Sequence, residues 1–163
     1  MRNKKVHPEI KLLLKILDEG YNKKAWHGPN LRGSIRGLSA EAAAWRPAPG
    51  RHNIWEIVIH VAYWKYAVRR RLRGDKRGSF PLAGNNWFFL PVSPTEEAWR
   101  QDLDLLAQQH QKLLEAVAEV PHQELHRPAL GSKTSNATLI CGIAAHDIYH
   151  AGQIQLLKRL HAS

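Results

Sequence analysis

Apolar residues recur along most of the chain at the three- and four-residue spacing of an amphipathic helix. The first stretch of this kind predicts a helix from Pro8 to about Glu19, with Gly20 as its end. A second helical segment is predicted from about Asn30 to Leu38. Ser39 is then predicted to cap a short turn that runs to Trp45. Glycine and proline residues separate these short segments from the rest of the chain.

A longer helix is predicted after this region. Asn53 and Glu56 have the spacing of a capping box, with Asn in place of the usual Ser or Thr. The helix that they begin is predicted to run to Arg73 and to end at Gly74. The next connection, from Asp75 to Ser93, is long for a compact domain, and loops of this length often cover a binding site.

Two further long helices are predicted in the second half of the chain. Ser93 and Glu96 repeat the capping-box spacing, with Pro94 at the predicted first helical position. This helix is predicted to reach about Val120, and the last helix is predicted from about Asn136 to Leu160. No internal repeat, low-complexity tract or convincing strand pair is present. The pattern therefore predicts an all-α fold, a helical bundle with long connections.

Length and composition narrow the class of protein. With 163 residues, the chain has the length of one ordinary domain, so we expect residues 1–163 to form a single domain. The net charge of +10 permits an anionic partner. A single cysteine, Cys141, excludes an internal disulfide framework and a cysteine-rich zinc module. No apolar stretch is long enough to cross a membrane, and the N-terminal segment Met1–Asp18 lacks the features of a signal peptide, so we expect a soluble, cytoplasmic protein.

Three of the ten histidines lie on or beside apolar helix faces. At about 100° per residue, His150 falls about 40° from His146, and both lie within the apolar stripe of the last helix. His60 lies on the flank of the apolar face of the helix that begins after Asn53. Three imidazoles from two helices are therefore predicted to point at or near one bundle core.

Such a cluster favours a metal site. A buried polar group without a partner costs about 1–3 kcal/mol, and histidines four residues apart on a helix can hold one ion. Three histidine ligands leave a fourth position for water or substrate, which is typical of catalytic rather than structural sites. Zinc or nickel is the expected ion, with iron and manganese as further candidates, because imidazole does not discriminate sharply among them.

Two alternatives stay open at this point. Buried histidines often only form hydrogen bonds with the backbone or with a carboxylate, and a metal held by them can be purely structural. A metalloprotease is disfavoured, because Asp147 rather than Glu follows His146 and is predicted to point away from the cluster.

Several segments resemble the DinB family, a damage-inducible, YfiT-like family of four-helix bundles unrelated to the DNA polymerase of the same name. The resemblance covers most of the chain and rests on the stretches Ala25–Pro29, Arg51–Glu56, His60–Lys65 and Ala145–Ile154. It implies a four-helix bundle with an extra N-terminal helical segment and long connecting loops. It also implies that His60, His146 and His150 bind a divalent metal, the same three residues that the helical wheel selects.

The resemblance also implies a function. Relatives in the wider superfamily use the metal to activate a low-molecular-weight thiol for transfer or isomerisation, and many are homodimers. We therefore expect a metal-dependent transferase or hydrolase that acts on a small molecule, with a low-molecular-weight thiol as a candidate substrate and a homodimer as its assembly. No catalytic side chain beyond the three metal ligands can be singled out.

A basic run supports a different class of function. Six cations follow one another closely at the end of the second long helix: Arg69, Arg70, Arg71, Arg73, Lys76 and Arg77. Clustered cations suffice for non-specific binding to phosphates, so the alternative is a non-catalytic basic bundle that binds nucleic acid or a protein partner. Cations at a helix C-terminus also complement its dipole, and no helix-turn-helix, zinc-finger or aromatic RNA-binding signature is present. Nucleic acid is therefore the less favoured partner.

Five of the remaining histidines are expected to be peripheral. His122 and His126 repeat the four-residue spacing, but they lie in a proline-bounded loop and are expected to be solvated. His7, His110 and His161 are expected at the surface.

Three other features carry expectations about packing. Trp26 is expected to pack, and Cys141 is expected to be a small buried hydrophobe that faces away from His146. The aromatic stretch Trp87–Phe89 is a lid, a pocket wall or a dimer contact, and the sequence does not separate these roles.

Overall fold

The computed structural model describes residues 6–78, 80–90 and 93–162. Within these residues it contains six α-helices, a short 3₁₀ helix at His122–Glu124 and no β-strand. The α-helices are α1 (Pro8–Tyr21), α2 (Leu31–Ile35), α3 (Ala40–Ala44), α4 (Ile54–Arg73), α5 (Glu96–Glu119) and α6 (Asn136–Ala162). The prediction of an all-α fold is confirmed.

The four long helices form the bundle. α4 packs between α5 and α6, and α1 closes the ring by packing against the same two helices. The short helices α2 and α3 are the additional segments of the N-terminal half; α2 lies on α6, and α3 lies on α4 and α5. No helix in the described part of the chain is both long and apolar enough to span a membrane. The helical bundle places α4 beside α6, the two helices that carry the predicted histidine cluster.

The predicted start and end of α4 are confirmed in detail. The Asn53 side chain accepts a hydrogen bond from the Glu56 backbone N–H at 2.8 Å, and the Glu56 carboxylate accepts one from the Asn53 backbone N–H at 3.3 Å. At the other end, Gly74 has a φ of 74°, the left-handed conformation that glycine adopts without strain. Strong caps at both ends fix the length of the helix that carries His60.

The predicted capping box at Ser93 is wrong. The N-cap of α5 is Thr95, whose side chain accepts from the Ala98 backbone N–H. The Glu96 carboxylate instead accepts from the backbone N–H of Ala40 at 2.7 Å. Glu96 therefore caps the first turn of α3 rather than its own helix, because the bundle brings that orphaned N–H within reach.

Gly20 does not end α1, as the sequence predicted, but lies inside it. A Cβ atom at Gly20 would lie 3.1 Å from the backbone oxygen of Ala144 in α6. The glycine is therefore used for a close approach of two helix backbones rather than as a stop.

Three expectations about packing are also wrong. Trp26 is fully exposed, because the connection between α1 and α2 leaves it outside the core. Cys141 is exposed, because it lies on a face of α6 that the bundle leaves open to solvent. His110 is buried rather than at the surface, because the inward face of α5 places it against polar side chains of α1 and α4.

These polar side chains form a network in the centre of the bundle. The Lys65 ammonium donates to the Asp147 carboxylate and lies 3.2 Å from Nδ1 of His110. The other ring nitrogen of His110 lies 3.3 Å from a carboxylate oxygen of Asp18. Burial lowers the pKa of Lys65 and that of His110, the latter to about 2, and raises the pKa of Asp147. Since burial opposes both charges of the Lys65–Asp147 pair, each charge depends on the other.

We predict a large, non-additive effect on stability when this pair is altered. Lys65→Met or Asp147→Asn alone leaves one buried charge without its partner, and we expect each to lower the free energy of unfolding by about 3–5 kcal/mol. The double variant removes both charges and should lose much less than the sum of the two single losses. Urea unfolding measures all three.

The exposed pair Arg73–Glu119, which also joins two helices, provides the matched control. Arg73→Met and Glu119→Gln should each cost about 1 kcal/mol or less. Additive losses at Lys65 and Asp147 would contradict a coupled buried pair.

Candidate metal centre

The three predicted histidines meet where α4 packs against α6. His60 comes from the middle of α4, and His146 and His150 lie one turn apart on α6. Nε2 of His146 lies 3.1 Å from Nε2 of His60 and 3.1 Å from Nε2 of His150. The structure thus brings the three side chains together, as the sequence predicted, and their role as metal ligands stays a prediction.

The outer nitrogens of two rings are held by hydrogen bonds. Nδ1 of His60 lies 2.8 Å from the backbone oxygen of Asn86, and Nδ1 of His150 lies 2.7 Å from Oε1 of Gln153. Because both oxygens only accept, each Nδ1 carries the hydrogen, and each Nε2 presents a bare lone pair to the cluster. Nδ1 of His146 is buried and has no hydrogen-bond partner among the described residues.

The rings are neutral at physiological pH. Burial, and after it the neighbouring rings of His150 and His60, lower the pKa of His146 to about 3, and burial lowers that of His150 to about 4. Burial also lowers the pKa of His60. The cluster therefore cannot satisfy its lone pairs by taking up protons.

A divalent cation fits this arrangement. When Nε2 of His146 carries the hydrogen of its ring, it can donate that hydrogen to Nε2 of only one neighbour. Nε2 of His146 and Nε2 of the other neighbour then face each other without a hydrogen between them. Two nitrogens that each lie about 2.0–2.1 Å from one zinc ion at tetrahedral angles are about 3.3 Å apart, close to the 3.1 Å observed. The donor set of three neutral imidazoles suits zinc, nickel and iron. Asp147 is not among the groups that face this point, because its carboxylate pairs with Lys65.

The connection between α4 and α5 supports the centre. Asn86 has a φ of 73°, a conformation that asparagine tolerates better than most residues. Its backbone oxygen holds His60, and its side-chain oxygen accepts from the indole N–H of Trp64 at 2.9 Å. One loop residue therefore fixes both the ring of His60 and the aromatic side chain one turn further along α4.

The aromatic stretch of this connection is divided among three environments. The Trp87 ring lies between the rings of His60 and His52, with centroid distances of 4.1 and 3.5 Å. Phe88 is buried in the core, and Phe89 is fully exposed. Of the roles left open by the sequence, Trp87 has that of a wall of the histidine centre.

His52 is held in turn by a charged group. Its Nδ1 lies 2.9 Å from Oε2 of Glu56, and the same carboxylate accepts two hydrogen bonds from the Arg46 guanidinium. Although burial opposes it, the hydrogen bonds from Arg46 and His52 keep the pKa of Glu56 below its ordinary value. Glu56 is thus ionised and anchors the ring on which Trp87 stacks.

A small cleft reaches the centre from one side. It has a volume of about 170 Å³ and is lined mostly by apolar residues of α4 and α6. His146, Trp64 and Arg71 are among its lining residues. A small molecule in this cleft would contact His146.

The other paired histidines form a separate cluster. Nε2 of His126 lies 2.9 Å and Nε2 of His122 lies 3.4 Å from the carboxylate of Glu9, and the ring of His7 stacks on that of His122 at 3.5 Å. His7 and His126 are exposed, in line with their predicted peripheral position. Because imidazole and carboxylate groups also meet here, this cluster must be controlled for in any measurement of bound metal.

Comparison with known protein families identifies the fold. Residues 25–154 match the model of the DinB superfamily. The chain belongs to the DinB superfamily. The match includes all three histidines of the centre and confirms the resemblance drawn from the sequence. No curated protein and no solved structure matches the chain significantly.

Sequence reasoning missed the polar residues that support the histidine cluster and the buried network beside it. Gln153 was detectable, because it lies three residues after His150 on the same helix face. Lys65 was also detectable, as a lysine between the buried positions Val61 and Val68 of the apolar stripe. The backbone oxygen of Asn86 was not detectable, because no sequence pattern reports which loop carbonyl meets a given ring.

We predict that Gln153 tunes the affinity of the centre for metal. Gln153→Leu removes the acceptor that orients His150, and we expect zinc affinity to fall about 10- to 100-fold. Gln153→Glu keeps an acceptor and should bind zinc at least as tightly as the wild type. Competition against a chromophoric chelator measures both affinities.

Gln111→Leu is the control, because Gln111 is exposed on α5, does not belong to the histidine cluster and donates a hydrogen bond to Glu115. Unchanged zinc affinity in Gln153→Leu would show that the hydrogen bond to His150 does not serve a metal.

Proposed function

We propose that this member of the DinB superfamily is a divalent-metal-dependent enzyme that acts on a small molecule, with His60, His146 and His150 as the metal ligands. The observation that carries the proposal is the convergence of three neutral Nε2 atoms, two of whose rings have their only hydrogen committed elsewhere. Three imidazole ligands leave a coordination position for a substrate. Zinc or nickel is the proposed ion.

The metal would supply Lewis-acid activation of a thiol or of water. The residues around it supply positioning. Asn86 and Gln153 fix the rings of His60 and His150, and Trp87 covers one face of His60. Burial of the rings keeps bulk water away and keeps the ligands neutral, which is the protonation state that binds metal.

The substrate proposed from the family resemblance is a low-molecular-weight thiol, with thiol transfer or hydrolysis as the reaction. The only cysteine of the chain, Cys141, is exposed. Because Cys141 does not belong to the histidine cluster, we propose that the thiol that reacts at the centre comes from outside the chain. A homodimer and a cytoplasmic location are part of the same proposal.

We expect wild-type protein, purified untagged and without chelator, to contain about one equivalent of a transition metal that depends on the histidine centre. His60→Ala and His146→Ala should each lose it, because two imidazoles hold an ion far less tightly than three. His126→Ala in the Glu9 cluster should retain it, since that cluster is separate. Elemental analysis measures the metal in all four proteins.

Absence of metal from the wild type, with none taken up from added zinc or nickel, would contradict the proposal. Loss of the metal from His126→Ala together with its retention by His146→Ala would contradict it equally.

Activity separates a catalytic metal from a structural one. Metal-loaded wild type is screened for thiol transfer and for hydrolysis, with His146→Ala as the inactive control. Turnover that follows metal content supports an enzyme. Metal without turnover, together with a sharp fall in the melting temperature of His146→Ala, would instead indicate a structural clip.

A further inference from the structure

A groove runs between the C-terminal half of α4 and the segment that comes after it. Its volume is about 830 Å³, and the described residues that line it include no aspartate and no glutamate. Three arginines lie along it, Arg70, Arg71 and Arg77, together with the aromatic side chains of Tyr63, Trp64 and Phe80. The groove thus combines positive charge with flat apolar surface.

The charge of these arginines is not neutralised within the described chain. No described carboxylate lies within ion-pairing distance of Arg70, Arg71 or Arg77. Arg70 donates one hydrogen bond to the backbone oxygen of Asp75, which uses only part of its donor capacity. Guanidinium groups that line one concave surface are suited to an oxyanion.

The rest of the basic run has other contacts. Arg73 pairs with Glu119 on α5, and the Arg69 guanidinium lies over the ring of Tyr66. Lys76 is not among the residues that line the groove. The six cations that follow one another closely in the sequence are therefore divided in the structure. Three of them line the groove, and the other three do not.

The groove shares walls with the histidine centre. Trp64 and Arg71 line both the groove and the small cleft that reaches His146. Trp64 also donates to the Asn86 side chain, and the backbone oxygen of Asn86 holds His60. A molecule in the groove would therefore lie beside the residues that support the centre.

We propose that this groove binds a small organic anion in which a phosphate or carboxylate group is joined to a planar apolar part. The arginines bind the oxyanion, and the aromatic side chains pack against the planar part. The volume lies in the range of about 300–1,000 Å³ that is usual for small-molecule sites. An extended nucleic acid would need a continuous basic track, which the division of the run does not provide. The inference that the groove binds such a molecule does not depend on the proposed function. Only the further inference, that this molecule is the substrate of the enzyme, rests on the proposed function.

Isothermal titration calorimetry with phenyl phosphate at physiological ionic strength tests the proposal. Benzoate replaces the phosphate by a carboxylate, inorganic phosphate lacks the planar part, and benzyl alcohol lacks the charge. A short oligothymidylate tests the nucleic-acid alternative. We expect phenyl phosphate or benzoate to bind the wild type at millimolar concentration or below, inorganic phosphate to bind more weakly and benzyl alcohol not to bind detectably.

Two triple variants test the site at equal change of net charge. Arg70→Gln/Arg71→Gln/Arg77→Gln should weaken binding about tenfold or more, since charge-assisted hydrogen bonds are lost. The matched control replaces the three arginines of another concavity, Arg32, Arg36 and Arg100, and should bind as the wild type does. If the triple variant fails to fold, Arg77→Gln alone provides the test, because it changes only an exposed loop position. This single variant should also weaken binding.

Several results would overturn the proposal. These are no binding by the wild type, equal weakening in both triple variants, inorganic phosphate as tight as phenyl phosphate, or oligothymidylate as the tightest ligand with the same arginine dependence. His146→Ala should keep the binding. Binding in a protein that holds no metal would leave the groove standing and remove only the proposed metalloenzyme function.

Discussion

The contact of α4 with α6 imposes one constraint on which the rest of the centre depends. Three neutral imidazoles present Nε2 atoms to one cluster, in which Nε2 of His146 lies 3.1 Å from that of each neighbour, and burial lowers the pKa of all three rings, which opposes the uptake of protons. Two of the rings have their hydrogens fixed on the outer side by oxygen acceptors. An arrangement of lone pairs that the protein cannot satisfy by itself is suited to a cation, and this property underlies the proposed function.

Polar groups support the contact of α4 with α6 on two sides. On one side, the connection after α4 supplies Asn86 and Trp87, which hold and cover His60. On the other side, Lys65 and Asp147 join α4 to α6 next to His146 and bury opposite charges in the core. A buried pair of this kind restricts how the two helices can rotate against each other, because no other rotation matches both charges. The connection after α4 thus orients the ring of His60, and the Lys65–Asp147 pair determines which faces of α4 and α6 meet.

How much of this could be predicted differs from residue to residue. The bundle and the histidine cluster follow from helical periodicity, because His60, His146 and His150 lie on or beside apolar stripes that must face a common core. The N-terminus of α5 could not be predicted in the same way, because the spacing of Ser93 and Glu96 is a local signal, whereas Glu96 is used by α3. The burial of His110 and the hydrogen bond of Asn86 to His60 depend on contacts between distant parts of the chain. Such contacts leave no pattern in a single sequence.

X-ray absorption at the zinc edge of the zinc-loaded protein tests the central claim most directly. We expect three imidazole nitrogens at about 2.0 Å from the zinc, with the outer-shell scattering of histidine rings, and one imidazole fewer in any zinc that His146→Ala retains. A shell made of oxygen atoms alone, or a spectrum that is the same in His146→Ala, would show that the metal binds elsewhere. The histidine cluster would then be a packing feature of the bundle.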